Sequence, residues 1–477
     1  MYSELPRWAQ QLLPIFVLLV VVGLVLWRLP KVDLGHSAAF RRRRGFNWLP
    51  LGLTYAMLYF GRYNLAALKS SKVQALTESD YGVIFGIGAA VYGVSFLVNG
   101  PLADRLGGRA TILLAAIGSC TANALIGVIA YLHYSKSGTD PGVWAVDPRV
   151  AVGVLYGVNM YFQSFGAVSI VKVNSQWFHV RERGVLGGVF GILISLGIYF
   201  AFDWGGRIGK AWPDAVWWVF WIPAICLLVF FVIDFFVVRE SPSQAGHQDF
   251  DVGDASSGDD GPRLPVTEVI KRMVTNPIIV TIGLIEFCSG FLRNAIMHWY
   301  RDFASAMGIG DGFVSQNWGM LLCVAGIMGG MFAGVISDKV FNSRRGPVAA
   351  VLYAMMLLGA VALIPMMGVP VAVGWTVIYM SMAIIGVHGM LSGTASADFG
   401  GKKNAGTAVG LIDGMVYLGT MLQSFTLGAW LPKKDDAVAA SNPENWYIWF
   451  YAMIPFALIG LLLAIRVWNA KPKAAGK

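Results

Sequence analysis

Charged side chains are scarce in this chain of 477 residues. Only 13% of the residues are Asp, Glu, Lys or Arg, whereas soluble globular domains carry about 25%. Hydrophobic residues make up 56% of the sequence, which predicts a helical protein that crosses the lipid bilayer many times. The net charge of +9 does not indicate a nucleic-acid partner, because the excess Lys and Arg residues lie in short loops between apolar segments, where they set orientation in the membrane.

The sequence also lacks the motifs of common enzyme and metal sites. It has no phosphate-binding loop, no HExxH and no GxSxG, so we expect no catalytic residues, no cofactor and no metal. Without a nucleotide site, transport would be driven by a gradient or by exchange. The cysteines all fall in apolar segments with no CxxC pair, which predicts packing residues rather than a disulfide framework or metal ligands. They are Cys120, Cys226, Cys288 and Cys323.

Apolar runs of about 20 residues predict thirteen membrane-spanning helices. The first run is followed by the basic cluster Arg41–Arg44. A secretory signal has the opposite charge order, so we interpret this run as a retained extra helix. The thirteen runs cover approximately residues 9–29, 47–67, 81–103, 109–133, 149–175, 185–203, 214–238, 276–302, 315–337, 346–367, 371–395, 404–429 and 446–467.

The loops between these runs predict the topology. Basic residues recur in alternate loops, which lie on one side of the membrane if the last twelve runs alternate in direction. That side is the cytoplasm, so the C-terminal tail is predicted inside and Met1 outside, in a cell membrane that we expect to be a bacterial inner membrane. A polar, acidic stretch, HQDFDVGDASSGDDGPR, is typical of a flexible linker and separates two sets of six runs.

These features predict an all-α integral membrane protein built from two six-helix bundles with pseudo-two-fold symmetry and one extra N-terminal transmembrane helix. We assign the extra helix and its basic lead-in to residues 1–40 and the first bundle to 41–240. A cytoplasmic linker takes 241–272, and the second bundle with its cytoplasmic tail takes 273–477. We expect a monomer.

Two arginines lie deep inside apolar runs. Arg62 belongs to NWLPLGLTYAMLYFGRYNLAAL and Arg293 to IIVTIGLIEFCSGFLRNAIMHWY. A guanidinium at the middle of a membrane costs roughly 2.5–3.5 kcal/mol on insertion scales, so two of them indicate a function. Arginine binds phosphate and carboxylate groups with two parallel hydrogen bonds. The pair therefore predicts an anion site near the midplane.

A short charged motif follows the third of the thirteen runs and recurs after the ninth. The two copies begin with Gly-Pro-Leu-Ala-Asp-Arg and Gly-Val-Ile-Ser-Asp-Lys, and each lies one run after a membrane arginine. Two similar halves with a site between them are typical of alternating-access transporters. We expect the motifs to form a cytoplasmic gate. Its predicted residues are Gly100, Asp104, Arg105, Arg109, Gly334, Asp338 and Lys339.

The motif GPLADRLGGR resembles the cytoplasmic loop signature of the major facilitator superfamily. More narrowly, four segments resemble helices of the organophosphate:phosphate antiporter family: RRRRGFNWLPLGLTYAMLYFGRYNLA, FQSFGAVSIVKVNSQWFHVRERG, GFLRNAIMHW and KKNAGTAVGLIDGMVYLGT. The resemblance covers about residues 40–470 and implies the major facilitator fold. It also implies that Arg62 and Arg293 form the phosphate site. Tyr55 and Tyr59 match family tyrosines and share a helix face with Arg62, although packing or interfacial anchoring would also explain them.

Several positions depart from the glycerol-phosphate members of that family. Tyr63 and Phe96 stand where those proteins carry lysines, Ile194 replaces a histidine and Ala167 replaces a tryptophan. The two-arginine pair is retained while much of its cationic surroundings is lost. This weakens glycerol 3-phosphate as the substrate and favours another phosphate ester, another organic anion or altered coupling.

Other polar residues in the runs are candidates for coupling or pairing: Glu286, Asp413, Lys172 and His388. Glu286 precedes Arg293 by seven residues and lies on roughly the same helix face, where it would carry a coupling proton, pair with an arginine at rest, or serve structure alone. Lys172 near a helix end is able to extend to the surface. A lone histidine in a membrane helix is more often a hydrogen-bonded packing residue. Asn159 and Gln163 are one turn apart and are candidates to face a cavity.

The sequence therefore favours a secondary active transporter of phosphorylated metabolites or related organic anions, exchanging them with inorganic phosphate by alternating access. Two alternatives stay open. One is a proton-coupled organic anion symporter that uses Glu286 or Asp413. The other is a transporter-like sensor that binds the ligand and signals to a membrane kinase.

Overall fold

A computed structural model describes residues 16–17, 20, 35–66, 78–134, 147–179, 183–252, 266–341, 344–433 and 436–469. Most of these residues are helical, and the others lie in turns or irregular segments. The helices of the first half are α1 (Ala38–Tyr63), α2 (Glu78–Leu106), α3 (Gly108–Tyr134), α4 (Pro148–Gln163), α5 (Phe165–Trp177), α6 (Arg183–Tyr199), α7 (Gly205–Ala211) and α8 (Trp218–Val237).

The second half continues the same architecture. Its helices are α9 (Val266–Thr275), α10 (Pro277–Ala306), α11 (Phe313–Gln316), α12 (Trp318–Lys339), α13 (Arg345–Met366), α14 (Pro370–His388), α15 (Ser396–Trp430), α16 (Ala437–Ser441) and α17 (Tyr447–Arg466). Short π-helical stretches, Phe200–Trp204 and Gly389–Ala395, follow α6 and α14.

Within the described ranges, nine helical segments are long and apolar enough to span a membrane. They are α2, α3, α4 with α5, α8, α10, α13, α14, α15 and α17. Helices α1, α6 and α12 pack among them. This confirms the all-helical, multi-pass prediction. The arrangement of twelve core helices plus one stays a prediction, because the run at 9–29 lies almost entirely outside the described residues.

The two halves meet along α2 and α15, which approach each other backbone to backbone. A methyl group added at Gly100 would lie 2.7 Å from the carbonyl oxygen of Gly406, and one added at Gly93 would lie 3.0 Å from that of Gly414. Small residues allow membrane helices to pack this closely. A second contact joins α6 to α12, so the halves touch on both sides of the site described below.

The cytoplasmic linker predicted at 241–272 includes the start of a helix. Helix α9 occupies its C-terminal end, where VTEVIKRMVT places apolar residues three and four positions apart, a helical period. Glu268 and Arg272 form an ion pair along it at 2.9 Å, which supports an exposed helix. The predicted boundary at 272 therefore falls inside a helix rather than at the end of an irregular segment.

Candidate anion-binding site

Arg62 lies near the end of α1 and is fully buried. Its Nε donates to Gln163 Oε1 at 2.8 Å, its Nη2 donates to the Tyr92 hydroxyl at 2.8 Å, and its Nη1 donates to the Tyr417 hydroxyl. A guanidinium has five N–H donors, so one remains on each terminal nitrogen. Gln163 and Tyr92 belong to the first half and Tyr417 to the second, so Arg62 connects the two bundles.

A chain of amides holds Gln163 in place. Gln163 donates to Asn159 Oδ1 at 3.2 Å, which also accepts from Asn123 at 3.1 Å. Asn159 in turn donates to the carbonyl of Gly61, the residue before Arg62, at 3.0 Å. The helix breaks at Ser164, directly after Gln163. Asn159 and Gln163, candidates for a cavity from their spacing, thus orient the first arginine.

Arg293 lies in α10 and is 1% exposed. None of its three guanidinium nitrogens has a hydrogen-bond partner among the described residues. Its guanidinium carbon lies 5.8 Å from the centre of the Tyr417 ring, and that of Arg62 lies 5.4 Å from the same ring. One tyrosine of α15 therefore spans the gap between the two predicted arginines.

The tyrosines of α1 continue this aromatic surface. The Tyr59 ring lies 4.4 Å from the guanidinium carbon of Arg62, and Tyr55 packs edge-to-face on Tyr59 at 5.2 Å. Tyr63, at the family's lysine position, is buried and interacts electrostatically with both arginines. The candidates Tyr55 and Tyr59 are thus adjacent to Arg62, while Tyr92 and Tyr417, which bond to it directly, were not identified from the sequence.

The acids of the second half form their own cluster. Glu286 is fully buried and lies 3.0 Å from His388, from Oε2 to Nδ1. Asp413 accepts a short hydrogen bond from Ser392 and interacts electrostatically with His388 and Glu286. In the described structure Glu286 contacts His388 and not Arg293. The alternative in which Glu286 pairs with an arginine at rest is therefore not seen for Arg293.

Asp104 contacts the opposite half at one end of the site, the end that the sequence predicts to be cytoplasmic. Its carboxylate accepts from the backbone amides of Gly406 and Thr407 at 3.1 and 2.9 Å and from the Thr407 hydroxyl at 2.9 Å. Lys172 of α5 adds a 2.7 Å ion pair. A carboxylate of the first half thus binds backbone of the second. Lys172, a candidate for coupling, belongs to this gate.

The other predicted gate residues differ in position. Arg105 is exposed, and Arg109 donates to the carbonyl of Phe235 at 2.7 Å, within its own half. Gly334 has no described atom within 4 Å of an added methyl group, unlike Gly100. The side chains of Asp338 and Lys339 lie outside the described part of the chain. Of the first copy of the motif, Gly100 and Asp104 contact the opposite half, whereas the described side-chain hydrogen bond of Arg109 stays within its own half.

A matching contact closes the opposite end and was missed from the sequence. Asp203, in the π-helical stretch after α6, accepts from the backbone amides of Gly319 and Met320 at 2.8 and 2.9 Å. These amides begin α12, where unpaired N–H groups favour a carboxylate. The signal in the sequence is a single acid at the end of an apolar run. With contacts at both ends, the buried arginines are closed off from either side.

This arrangement suits anion binding rather than metal or catalytic chemistry. Two buried guanidiniums from different halves face a shared tyrosine, and a phosphate or carboxylate would accept hydrogen bonds from both. Among the described residues, no three His, Cys, Asp or Glu side chains are grouped to hold a metal ion. The site therefore offers recognition and charge compensation.

Comparison with known proteins decides the family. Residues 51–424 match the Major Facilitator Superfamily. The chain belongs to this superfamily. A solved major facilitator, a D-xylose-proton symporter, superposes with a TM-score of 0.60 at 16% identity, covering 90% of this chain and 98% of that one. This likeness establishes the fold.

Within the superfamily, the chain is similar to a membrane sensor and to proteins named as transporters of phosphate esters. It is 26% identical to the membrane sensor protein UhpC of Salmonella typhimurium, over 91% of this chain and 94% of the relative. It is 22% identical to the glycerol-3-phosphate transporter of Bacillus subtilis, over 93% and 96%. A Chlamydia trachomatis protein named "Probable hexose phosphate transport protein" is 24% identical over 89% and 91%. These relatives confirm the expected resemblance to the organophosphate:phosphate antiporter family.

Proposed function

We propose that this transporter carries a phosphorylated metabolite or a related organic anion across the membrane in exchange for inorganic phosphate. The observation that carries the proposal is Arg293, a buried guanidinium whose three nitrogens have no partner among the described residues. Its guanidinium lies near the same Tyr417 ring as that of Arg62, which belongs to the other half. A buried, unpaired cation is costly, and an oxyanion between the halves would supply its partners.

The same geometry accounts for exchange. An anion bonded to Arg62 and Arg293 at once stabilises the form in which the halves are closed around it. Movement from the outward-open to the inward-open form, which passes through that closed form, is then tied to a bound anion. Return with a second anion completes an exchange. The phosphate-ester relatives support a phosphate group as the shared part of both cargoes.

Purified protein in liposomes loaded with inorganic phosphate tests the proposal. External radiolabelled phosphate should enter by exchange, phosphate esters should compete, and omission of internal phosphate should abolish uptake. Arg272→Lys serves as a matched control, since Arg272 lies on the exposed face of α9. Absence of flux for phosphate and all phosphate esters would overturn exchange.

A sensor function is the second candidate, because UhpC, a relative of this chain, is named a membrane sensor. In that case phosphate esters would stabilise the purified protein against heat without any flux in liposomes. A membrane kinase would also copurify with the chain. Flux with no kinase would exclude this alternative.

A further inference from the structure

We propose that Glu286, His388 and Asp413 form a proton-binding site of the second half, which takes up protons when the anion binds. The proposal rests on the proposed function, because it specifies how that anion site is regulated. It starts from the Glu286–His388 contact of 3.0 Å and the electrostatic interaction of Asp413 with both partners.

The position of the cluster links it to the anion site. Glu286 precedes Arg293 by seven residues on α10, which places it about 10 Å nearer the cytoplasmic end of that helix. Asp413 lies one turn before Tyr417 on α15, on the same side. The Asp104–Gly406 contact lies beyond it, seven residues before Asp413. The cluster thus lies between the arginines and the cytoplasmic gate, where it becomes accessible whenever that gate opens.

The hydrogen bonding of the cluster leaves an acceptor for a proton. Glu286 is fully buried, and its Oε1 has no hydrogen-bond partner among the described residues. A buried carboxylate with one unsatisfied oxygen is costly when ionised. Further negative charge from a bound anion raises that cost, and a proton shared with the imidazole of His388 then offsets it. His388 is followed by the π-helical stretch Gly389–Ala395, whose Ser392 donates to Asp413. Single-turn π-helical stretches are frequent at functional sites.

Titratable groups on three helices interact electrostatically with the cluster. Cys288 on α10 and Tyr353 on α13 interact with Glu286, and Arg293 on α10 interacts with Asp413 on α15. Helix α17, on the far side of α10, presents the apolar ring of Phe456, which stacks on Phe291 at 3.7 Å. Arg293 therefore supplies positive charge beside the cluster. The carboxylates of Glu286 and Asp413 and the imidazole of His388 are the proton acceptors.

Charge balance predicts the direction of the proton movement. Two guanidiniums and two ionised carboxylates already cancel when His388 is neutral. An entering anion then adds negative charge in a region of low dielectric, where uncompensated charge is costly. A proton bound by the cluster for each added negative charge restores the balance. Apart from the bond to the proton, no covalent bond forms or breaks.

Calorimetry of inorganic phosphate binding measures this uptake directly. At a mildly alkaline pH, where phosphate is a dianion, titrations in two buffers with different heats of ionisation give the protons bound per phosphate. We expect at least about one for the unmodified protein. Glu286→Gln and Asp413→Asn, each nearly isosteric, should still bind phosphate but take up less than half as many protons. Either variant suffices if the other fails to fold.

Asp234→Asn is the matched control. Asp234 is also a buried membrane acid, but it accepts from Thr54 at 2.6 Å in the first half and should leave the proton count unchanged. If phosphate itself takes the proton, both cluster variants will match the unmodified protein and the proposal is wrong. Phosphate binding without proton uptake also overturns it while leaving the proposed function intact. If the unmodified protein does not bind phosphate, both the proposed function and this proton-binding site are wrong.

Discussion

The carboxylate of Asp104 accepts a hydrogen bond from the backbone amide of Gly406, which lies 302 positions later in the chain. Thr407 and Lys172 contribute three further contacts to the same carboxylate. The acid of a short loop motif thus joins the two halves at the end that the sequence predicts to be cytoplasmic. Because it lies twelve residues beyond Tyr92 on α2, we expect it to act in gating and not in binding.

Asp104→Asn should slow exchange and leave phosphate-induced thermal stabilisation nearly unchanged. In asparagine an NH2 group takes the place of one carboxylate oxygen, so a donor faces the donors of Gly406 and Thr407. Hydrogen bonds to a charged group contribute about 1.5–3 kcal/mol, which corresponds to a roughly 10- to 150-fold slower rate if one is lost from the closed form. Flux in liposomes and melting curves measure the two effects. Asp80→Asn, at the outer end of the same helix and in a partly exposed pair with Arg149, is the control. Weaker stabilisation by phosphate with normal maximal flux would contradict this role.

Asp203→Asn should open the outer end of the protein. The change weakens the bonds to the amides of Gly319 and Met320, so α6 and α12 separate more often. Native Cys323, buried in the α6–α12 contact, reports this separation. Its labelling from outside by a membrane-impermeant maleimide, followed by peptide mass spectrometry, should rise several-fold. Asp214→Asn, on an exposed turn nearby, should not change it. Equal labelling in both variants would show that Asp203 does not close the outer end.

Arg62→Lys and Arg293→Lys should each abolish most of the transport. Lysine lacks the planar fork that bonds Gln163, Tyr92 and Tyr417 around Arg62. Disrupting a buried charged contact typically costs about 2–5 kcal/mol, or roughly 30- to several-thousand-fold in affinity. Phosphate affinity and flux measure the loss, with Arg272→Lys as the control.

A double variant distinguishes binding from pairing. If Arg293 served only to neutralise an acid, Arg293→Ala combined with Glu286→Gln would recover folding and transport. Because Glu286 contacts His388 instead, we expect no recovery. Near-normal transport by both lysine variants, or by this double variant, would rule out the two-arginine site.

Gly100→Ala and Gly334→Ala form a matched pair at the same motif position of the two halves. The new methyl group at Gly100 would lie 2.7 Å from the carbonyl oxygen of Gly406, while at Gly334 no described atom lies within 4 Å. Overpacking of this kind typically costs about 1–3 kcal/mol. Gly100→Ala should therefore lower exchange rate and melting temperature, and Gly334→Ala should change neither. Equal behaviour would mean that α2 and α15 do not need this close approach.

The sequence predicted the features that depend on the local order of apolar residues and on the free-energy cost of placing a charged side chain in a membrane. Apolar runs predicted the helices, and the expense of burying Arg62 and Arg293 predicted that both lie inside the membrane and serve a function. Their partners could not be predicted in this way. Tyr417 reaches Arg62 across 355 positions, and His388 reaches Glu286 across 102, so these pairings depend on how the helices pack. Asp203 was missed because its acceptor role depends on the start of α12, an element distant in the chain.

The glycine contacts between α2 and α15 have a consequence for the side-chain entropy of the transport cycle. An ordered side chain loses up to about 2 kcal/mol of rotamer freedom when it packs, and glycine has none to lose. Opening and closing of the protein therefore change the conformational freedom of few side chains at these contacts, which are Gly93 with Gly414 and Gly100 with Gly406. Each cycle repeats with little change in side-chain entropy at these contacts, and the barrier there depends on polar contacts such as Asp104 rather than on repacking.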